Sequence, residues 1–538
     1  MAANLNIEDF TGLCTVILAY LSHGRFQEHL VASGGMPTLL QVLAHSSGLE
    51  ADPEDAGWED EEVLEQRETN RAAFAQIIGK ISEPDAFFEK CGPGTAAFNL
   101  LVDNFLPSED AHLQLVACVC LGNLCTSAAT SIAVGSDARV RDRLITIVAR
   151  GAKYLGVTTT PSSSLPGAAP AKTTAEPLQA VYQALSCLKN LSIPAENKPQ
   201  LGHLLDNTLP HYWTSTSAFQ QEIQSASVSL ARLLVTNCPV NVKRMVVPGV
   251  DPSSHDIRTR LQLLIDLLPQ ISAEGPAAVR IKTDIYRAVC AVCRMLLCYP
   301  IPETQPNYGY KGLEWGVVGG DTGADEDQWL TLEERVRFQQ THPAVMNVLG
   351  QMLAEIKIPA IRAEVLFVLA TVSREETGVA QAALAALEKS VVNLAALGDC
   401  VLGDGKGEEL LREFWLWPPV GDDSAAETSQ NQEDGGGVVR VDRDDGAATA
   451  TALPEGVQDM ADSMDRLLMD PMNPAVAVEQ TTPSTPASVM IARVVRENGI
   501  VLASEVSRRF PDALSPAKRK VYEVIVGGGL EIVRREGR

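Results

Sequence analysis

Residues 187–202 read CLKNLSIPAENKPQLG, an apolar helical run that ends near a proline and then offers a second asparagine and a lysine. Asn190 stands inside Leu188-Lys189-Asn190-Leu191, where a core gains nothing from an unpaired amide. The position makes sense only if it recurs. An apolar-x-x-apolar pattern closing a long helical run returns as LAYLS at 18, IGKIS at 78, LGNLC at 121, LKNLS at 188, LARLL at 230, CRMLL at 293 and LATVS at 369. The residues set among those apolar neighbours are Tyr20, Lys80, Asn123, Asn190, Arg232, Arg294 and Thr371, and all but Tyr20 are polar or charged.

Lys80 and Asn123 are 43 residues apart, and Asn190 and Arg232 are 42 apart. That is the period of armadillo and HEAT repeats, about 40 to 47 residues. The other intervals are longer, and each holds a loop-like insertion: 51–68, 158–177, 248–256 and 300–327. Removing them restores the period. The expectation is an all-α, right-handed helical solenoid of armadillo/HEAT type with loop insertions, spanning residues 1–418. A stacked repeat buries two faces of its last helix and leaves a third along the inner wall. The ladder residues are then expected to point into a groove. The competing reading is that Asn190 caps its own helix or bonds the backbone of a neighbouring repeat.

Residues 419–487 are rich in Gly, Asp and Thr and predict a disordered linker, with a short amphipathic helix near 459–470 (DMADSMDRLLMD). From Ser488 the chain holds ten Lys or Arg against six acids, reversing the sign of the rest. This small basic segment, 488–538, is either a last helical pair or a separate unit.

The net charge of −24 opposes nucleic-acid binding, which depends on counterion release by Lys and Arg, and favours a basic partner. The beginning MAANLNIEDF lacks a basic leader, and no apolar run reaches about 18 residues, so no membrane insertion is expected. A cytoplasmic location is expected, with a nuclear one left open. Eleven cysteines lie mostly within apolar helical runs and read as reduced core residues; CAVC at 290–293 has no second ligand pair at zinc spacing. None of the eight histidines forms an HExxH pair. GDGKGEE at 403–409 lacks the Ser or Thr after the lysine that a phosphate loop requires, and no Gly-x-Ser-x-Gly elbow occurs. We therefore expect no enzyme, no cofactor and no metal. The strongest charge signal is 50–68, with ten acids and one arginine; Asp55, Glu59, Asp60, Glu61 and Glu62 are its centre. It reads as a solvated loop, or as an electrostatic lure for a Lys/Arg-rich peptide.

Two stretches, LVACVCLGNLC at 115–125 and ALSCLKNLSIPAENKPQL at 184–201, resemble the armadillo-repeat GDP-dissociation stimulators of small GTPases. The likeness rests on Leu188, Asn190, Leu191, Ile193, Pro194, Asn197 and Lys198, and is of general armadillo type elsewhere, as in HLVASGGMPTLLQVL at 29–43. It implies a non-enzymatic exchange factor or chaperone for Rho- and Ras-type GTPases that recognises their basic, prenylated C-terminal tails. On this basis the expected partner-binding residues are Asn123, Asn190, Asn197 and Lys198, with Lys80, Arg232 and Arg294 added from the ladder register. A rival reading is an importin-like or scaffolding adaptor for basic peptides. Importin grooves pair ladder asparagines with tryptophans, and none of the six tryptophans here falls in the last-helix runs around 121 or 188.

Overall fold

The computed structural model describes residues 7–48, 61–157, 175–213, 218–250, 257–271, 275–298, 337–338, 340–374, 378–417 and 486–536. Among them, regular structure is helical apart from one short antiparallel ribbon, in which β1 (Pro248–Val250) pairs with β2 (Ile257–Thr259), Gly249 opposite Arg258. No helix among the described residues is long and apolar enough to cross a membrane. Residues 419–485, including the expected helix near 459–470, lie outside the described set, as do most of the insertions.

Two compact units form, Met1–His342 and Pro343–Arg538, where the repeat pattern predicts one array to 418. The boundary follows the 300–327 insertion, whose Pro, Gly and Asp content supplies no continuous apolar face.

In the first unit the helices are α1 (Ile7–Leu21), α2 (Gly24–Ala32), α3 (Met36–Gly48), α4 (Glu61–Ile81), α5 (Asp85–Cys91), α6 (Ala96–Leu100), α7 (Ala111–Leu124), α8 (Ala128–Ser136), α9 (Ala138–Val157), α10 (Ala175–Leu191), α11 (Lys198–Leu201), α12 (Leu204–Asn207), α13 (Ala218–Val235), α14 (Pro239–Val246), α15 (Arg260–Leu267) and α16 (Pro276–Cys293). Each repeat-ending helix packs on the next of its kind: α1 on α4, α4 on α7, α7 on α10, α10 on α13 and α13 on α16. Burial follows from that position. On α7, Val116, Ala117, Cys118, Cys120, Leu121 and Leu124 are all buried, more than one stripe of a helix, because neighbours cover it on several sides. Local signals set the starts. Asp110 caps α7 by accepting from the backbone N–H of His112 at 2.9 Å, and Ser127 and Thr130 form a reciprocal capping box on α8.

The second unit has α17 (Val345–Glu355), α18 (Pro359–Val372), α19 (Gly378–Glu388), α20 (Val391–Leu402), α21 (Lys406–Glu413), α22 (Pro486–Arg509) and α23 (Pro516–Glu536). The basic C-terminal segment is the last helical pair of this unit: α22 packs on α18 and α20, and α23 on α20 and α22. Glycines permit the approach. A Cβ at Gly499 would lie 2.5 Å from Val401 Cγ2, one at Gly528 2.7 Å from Leu402 Cδ2, and one at Gly529 2.4 Å from Val401 Cγ1. Several of its cations are held inside the unit, with Lys518 Nζ 3.3 Å from Glu388 and Arg496 Nε donating to the Val401 carbonyl at 3.0 Å. The glycines of GDGKGEE build the turn between α20 and α21: Gly403 and Gly405 have φ of 114° and 77°, values that favour glycine.

Candidate partner-binding face

Asn123 and Asn190 stand at equivalent points of successive long helices, and their amides are used inside the protein. Asn123 Nδ2 donates to Ser82 Oγ at 2.8 Å and approaches the Gly79 carbonyl at 3.4 Å; Asn190 Nδ2 donates to the Gly122 carbonyl at 3.1 Å. Gly79 and Gly122 immediately precede Lys80 and Asn123, so each bond ties one long helix to the equivalent point of the one before. For Asn190 the neighbouring-backbone reading is the one the geometry supports. Its side chain and that of Asn123 are half-buried.

Asn197 and Lys198 must be withdrawn from any exposed groove. They are 3% and 5% exposed. Asn197 Nδ2 donates to the Leu191 carbonyl at 2.9 Å and the Ser131 carbonyl at 3.0 Å. Lys198 Nζ donates to the Thr236 carbonyl at 2.7 Å, and burial pushes its pKa down to about 8. Arg232 is buried too, with Nε 2.6 Å from Asp284 Oδ1, while Ser229 donates to the other carboxylate oxygen of Asp284. Arg294 is half-buried and opens a π-helical turn, Arg294–Cys298, that extends α16. Of the seven expected groove residues, Lys80 is the exposed one.

The acidic stretch divides. Asp55, Glu59 and Asp60 lie outside the described residues, but Glu61 begins α4 and Glu62 is exposed on it, so the expected loop is helix from residue 61. Glu, Leu and Gln are strong helix formers, and acids are favourable in a first turn. Further along α4, Glu68 meets His112 of α7, and that hydrogen bond holds the Glu68 carboxyl below its ordinary range; Arg71 reaches Glu68 and Asp110. At the other end of the series, Arg280, Lys282, Asp284, Arg287 and Arg294 are half-buried along α16 and its extension, with Arg280 paired to Glu222 of α13 at 3.0 Å. The acids of residues 50–68 thus lead into α4, while α16 and its extension carry four cations and one acid among these half-buried residues.

Sequence reasoning missed a second asparagine series. Asn241 Nδ2 donates to the Leu234 carbonyl at 3.0 Å and the Lys198 carbonyl at 2.9 Å, repeating the bonds of Asn197 one repeat later. Asn393 in the second unit donates to the Ala386 carbonyl at 2.8 Å. Asn197, Asn241 and Asn393 each lie against a glycine, Gly135, Gly202 and Gly350 respectively, where a Cβ would meet the amide at 2.5, 1.9 and 2.9 Å. The 44-residue step from Asn197 to Asn241 was the available signal.

All eleven cysteines are free, ten of them buried, and burial raises the Cys14 thiol to about 11 and those of Cys91, Cys120 and Cys125 to about 12. These four are held as thiols at neutral pH. Among the described residues no group of three or more His, Cys, Asp or Glu is placed to hold a metal ion.

The chain matches no known family model and no curated protein. A solved structure described as that of an engineered protein aligns over 98% of this chain and 96% of its own, at 14% identity and a TM-score of 0.37. Agreement at that level carries no argument about fold or partner.

Proposed function

We propose that the first unit is an armadillo-type right-handed solenoid that binds a small GTPase of the Rho or Ras type and acts as its exchange factor or chaperone. The observation that supports the reading is the series of six long helices, each packed on the next, two of whose five junctions are tied at equivalent points by Asn123 and Asn190. Helices stepped at about 8–10 Å offer a face on the order of 45 Å long, the scale of a small globular domain. The ten acids of residues 50–68 suit a basic tail.

Exchange of this kind makes and breaks no covalent bond. A partner that binds the nucleotide-free state better than the GDP state accelerates release by that difference, about 1.4 kcal/mol for each factor of ten. The test is GDP release from Rho- and Ras-type GTPases with intact tails, with and without this protein. Faster release, or a stable complex lost on removal of the basic tail, is expected. Neither binding nor acceleration with any of them would end the reading.

A further inference from the structure

Helix α1 has one packed side and one bare side. Phe10, Cys14 and Leu21 are buried, and α1 packs on α4 and α2, whereas Leu13, Val16 and Tyr20 are 42%, 53% and 57% exposed. At about 100° per residue these three fall within about 60° of one another, beside the small residues Gly12 and Ala19. No charged side chain occurs between Asp9 and His23. Phe26 of α2 stands edge-on to Tyr20, ring centroids 5.3 Å apart, and enlarges the patch. A helix side left to solvent is ordinarily polar. This one has an apolar surface.

We propose that the bare side of α1 is a two-fold contact with a second copy of the chain, the two α1 helices running antiparallel about Val16. The pattern is self-complementary in that arrangement. Tyr20 falls over Gly12 of the second copy, where nothing lies within 4 Å of the position a Cβ would occupy, and Leu13 falls over Ala19. Glu8, exposed at one end, comes beside Arg25, exposed past the other, and the helix dipoles oppose favourably. A parallel pair would instead set Glu8 on Glu8, Arg25 on Arg25 and Tyr20 on Tyr20. A surface that fits itself is what an isologous dimer requires. One helix pair with Phe26 covers less than the about 800 Å² per partner of a standard interface, so the dimer is weak and concentration-dependent.

The test is sedimentation velocity of the full chain from about 1 to 100 μM. Salt near 0.15 M limits the mutual repulsion of two −24 bodies to about 8 Å. We expect dimer to accumulate with concentration and to vanish in Val16→Asp, whose exposed site leaves the thermal transition in place. Glu8→Arg and Arg25→Glu should each weaken association about tenfold, and the double variant should restore it. A monomer throughout, a dimer indifferent to Val16→Asp, or a double variant no better than the singles would overturn the proposal.

Discussion

Asn190 of α10 donates from Nδ2 to the carbonyl oxygen of Gly122 on α7, 3.1 Å away and 68 residues earlier in the chain. The same oxygen accepts from the Cys125 N–H at 3.1 Å, so both of its lone pairs are used. Helix ends leave carbonyls with spare acceptor capacity, and here the next long helix supplies a second donor. An asparagine among leucines is therefore a register pin between helices.

Asn190→Ala should destabilise the first unit by about 0.5 to 1.5 kcal/mol, because one hydrogen bond between half-buried groups is lost while the Gly122 carbonyl keeps its bond from Cys125. Leu188→Ala should cost about 2 to 5 kcal/mol as a buried truncation. Urea unfolding of both variants measures this. An Asn190→Ala midpoint equal to wild type would show that the pin contributes nothing.

The asparagine–glycine joints predict a rescue. Gly202→Ala forces a methyl group into the Asn241 amide, where the Cβ would sit 1.9 Å from Oδ1, and should cost about 1 to 3 kcal/mol as overpacking. Asn241→Ala alone loses two backbone bonds. Combining them removes the clash, so the double variant should be more stable than the sum of single losses predicts. Strict additivity in a double-mutant cycle would count against the contact.

Lys198 sets a pH signature. Its pKa falls from 10.5 to about 8 on burial, so between those values the unfolded chain binds more protons than the folded one. Stability from this group then rises with pH across that window, and below pH 8 the cost of the buried charge is fully present. Lys198→Met should lack this rise. Subtracting its stability-versus-pH curve from that of wild type isolates the effect from the thiols, and a flat difference between pH 8 and 10.5 would refute the buried-charge account.

Deletion of residues 51–60, stopping short of α4, should leave the thermal transition unchanged. It should slow association with a Lys/Arg-rich peptide chiefly at low salt, since exposed charges act over a Debye length. Stopped-flow mixing at two ionic strengths decides the matter. Identical rates in the presence and absence of the segment would mark it as an inert insertion.

The helical character and the position of each long helix were legible because leucines recurring at helical spacing before Asn123, Asn190 and Arg232 leave no other way to bury them. The destination of the polar residues was not legible. An amide facing a solvent groove and an amide facing the Gly122 carbonyl look identical in sequence, since the acceptor lies on the backbone of a residue 68 positions away. Lys198 misled for a related reason: a lysine beside a proline reads as surface, and only the Thr236 carbonyl at the end of α13 explains its burial. Arg232 likewise needs Asp284, a partner 52 residues on, to be understood as an internal pair. The α22–α23 hairpin was left undecided because its apolar stripe fits either a free hairpin or a lid on α18 and α20. Gly499, Gly528 and Gly529 turn out to be cut to Val401 and Leu402.

That last fit has a consequence for biosynthesis. Val401 is made more than eighty residues before the glycines that enclose it, and everything between Trp417 and Pro486 must leave the ribosome first. Until α22 and α23 are translated, the sides of α18 and α20 that they pack on lack that cover, so a nascent chain would present them to chaperones and proteases. Translation of residues 486–536 is the step that closes this unit over Val401 and Leu402.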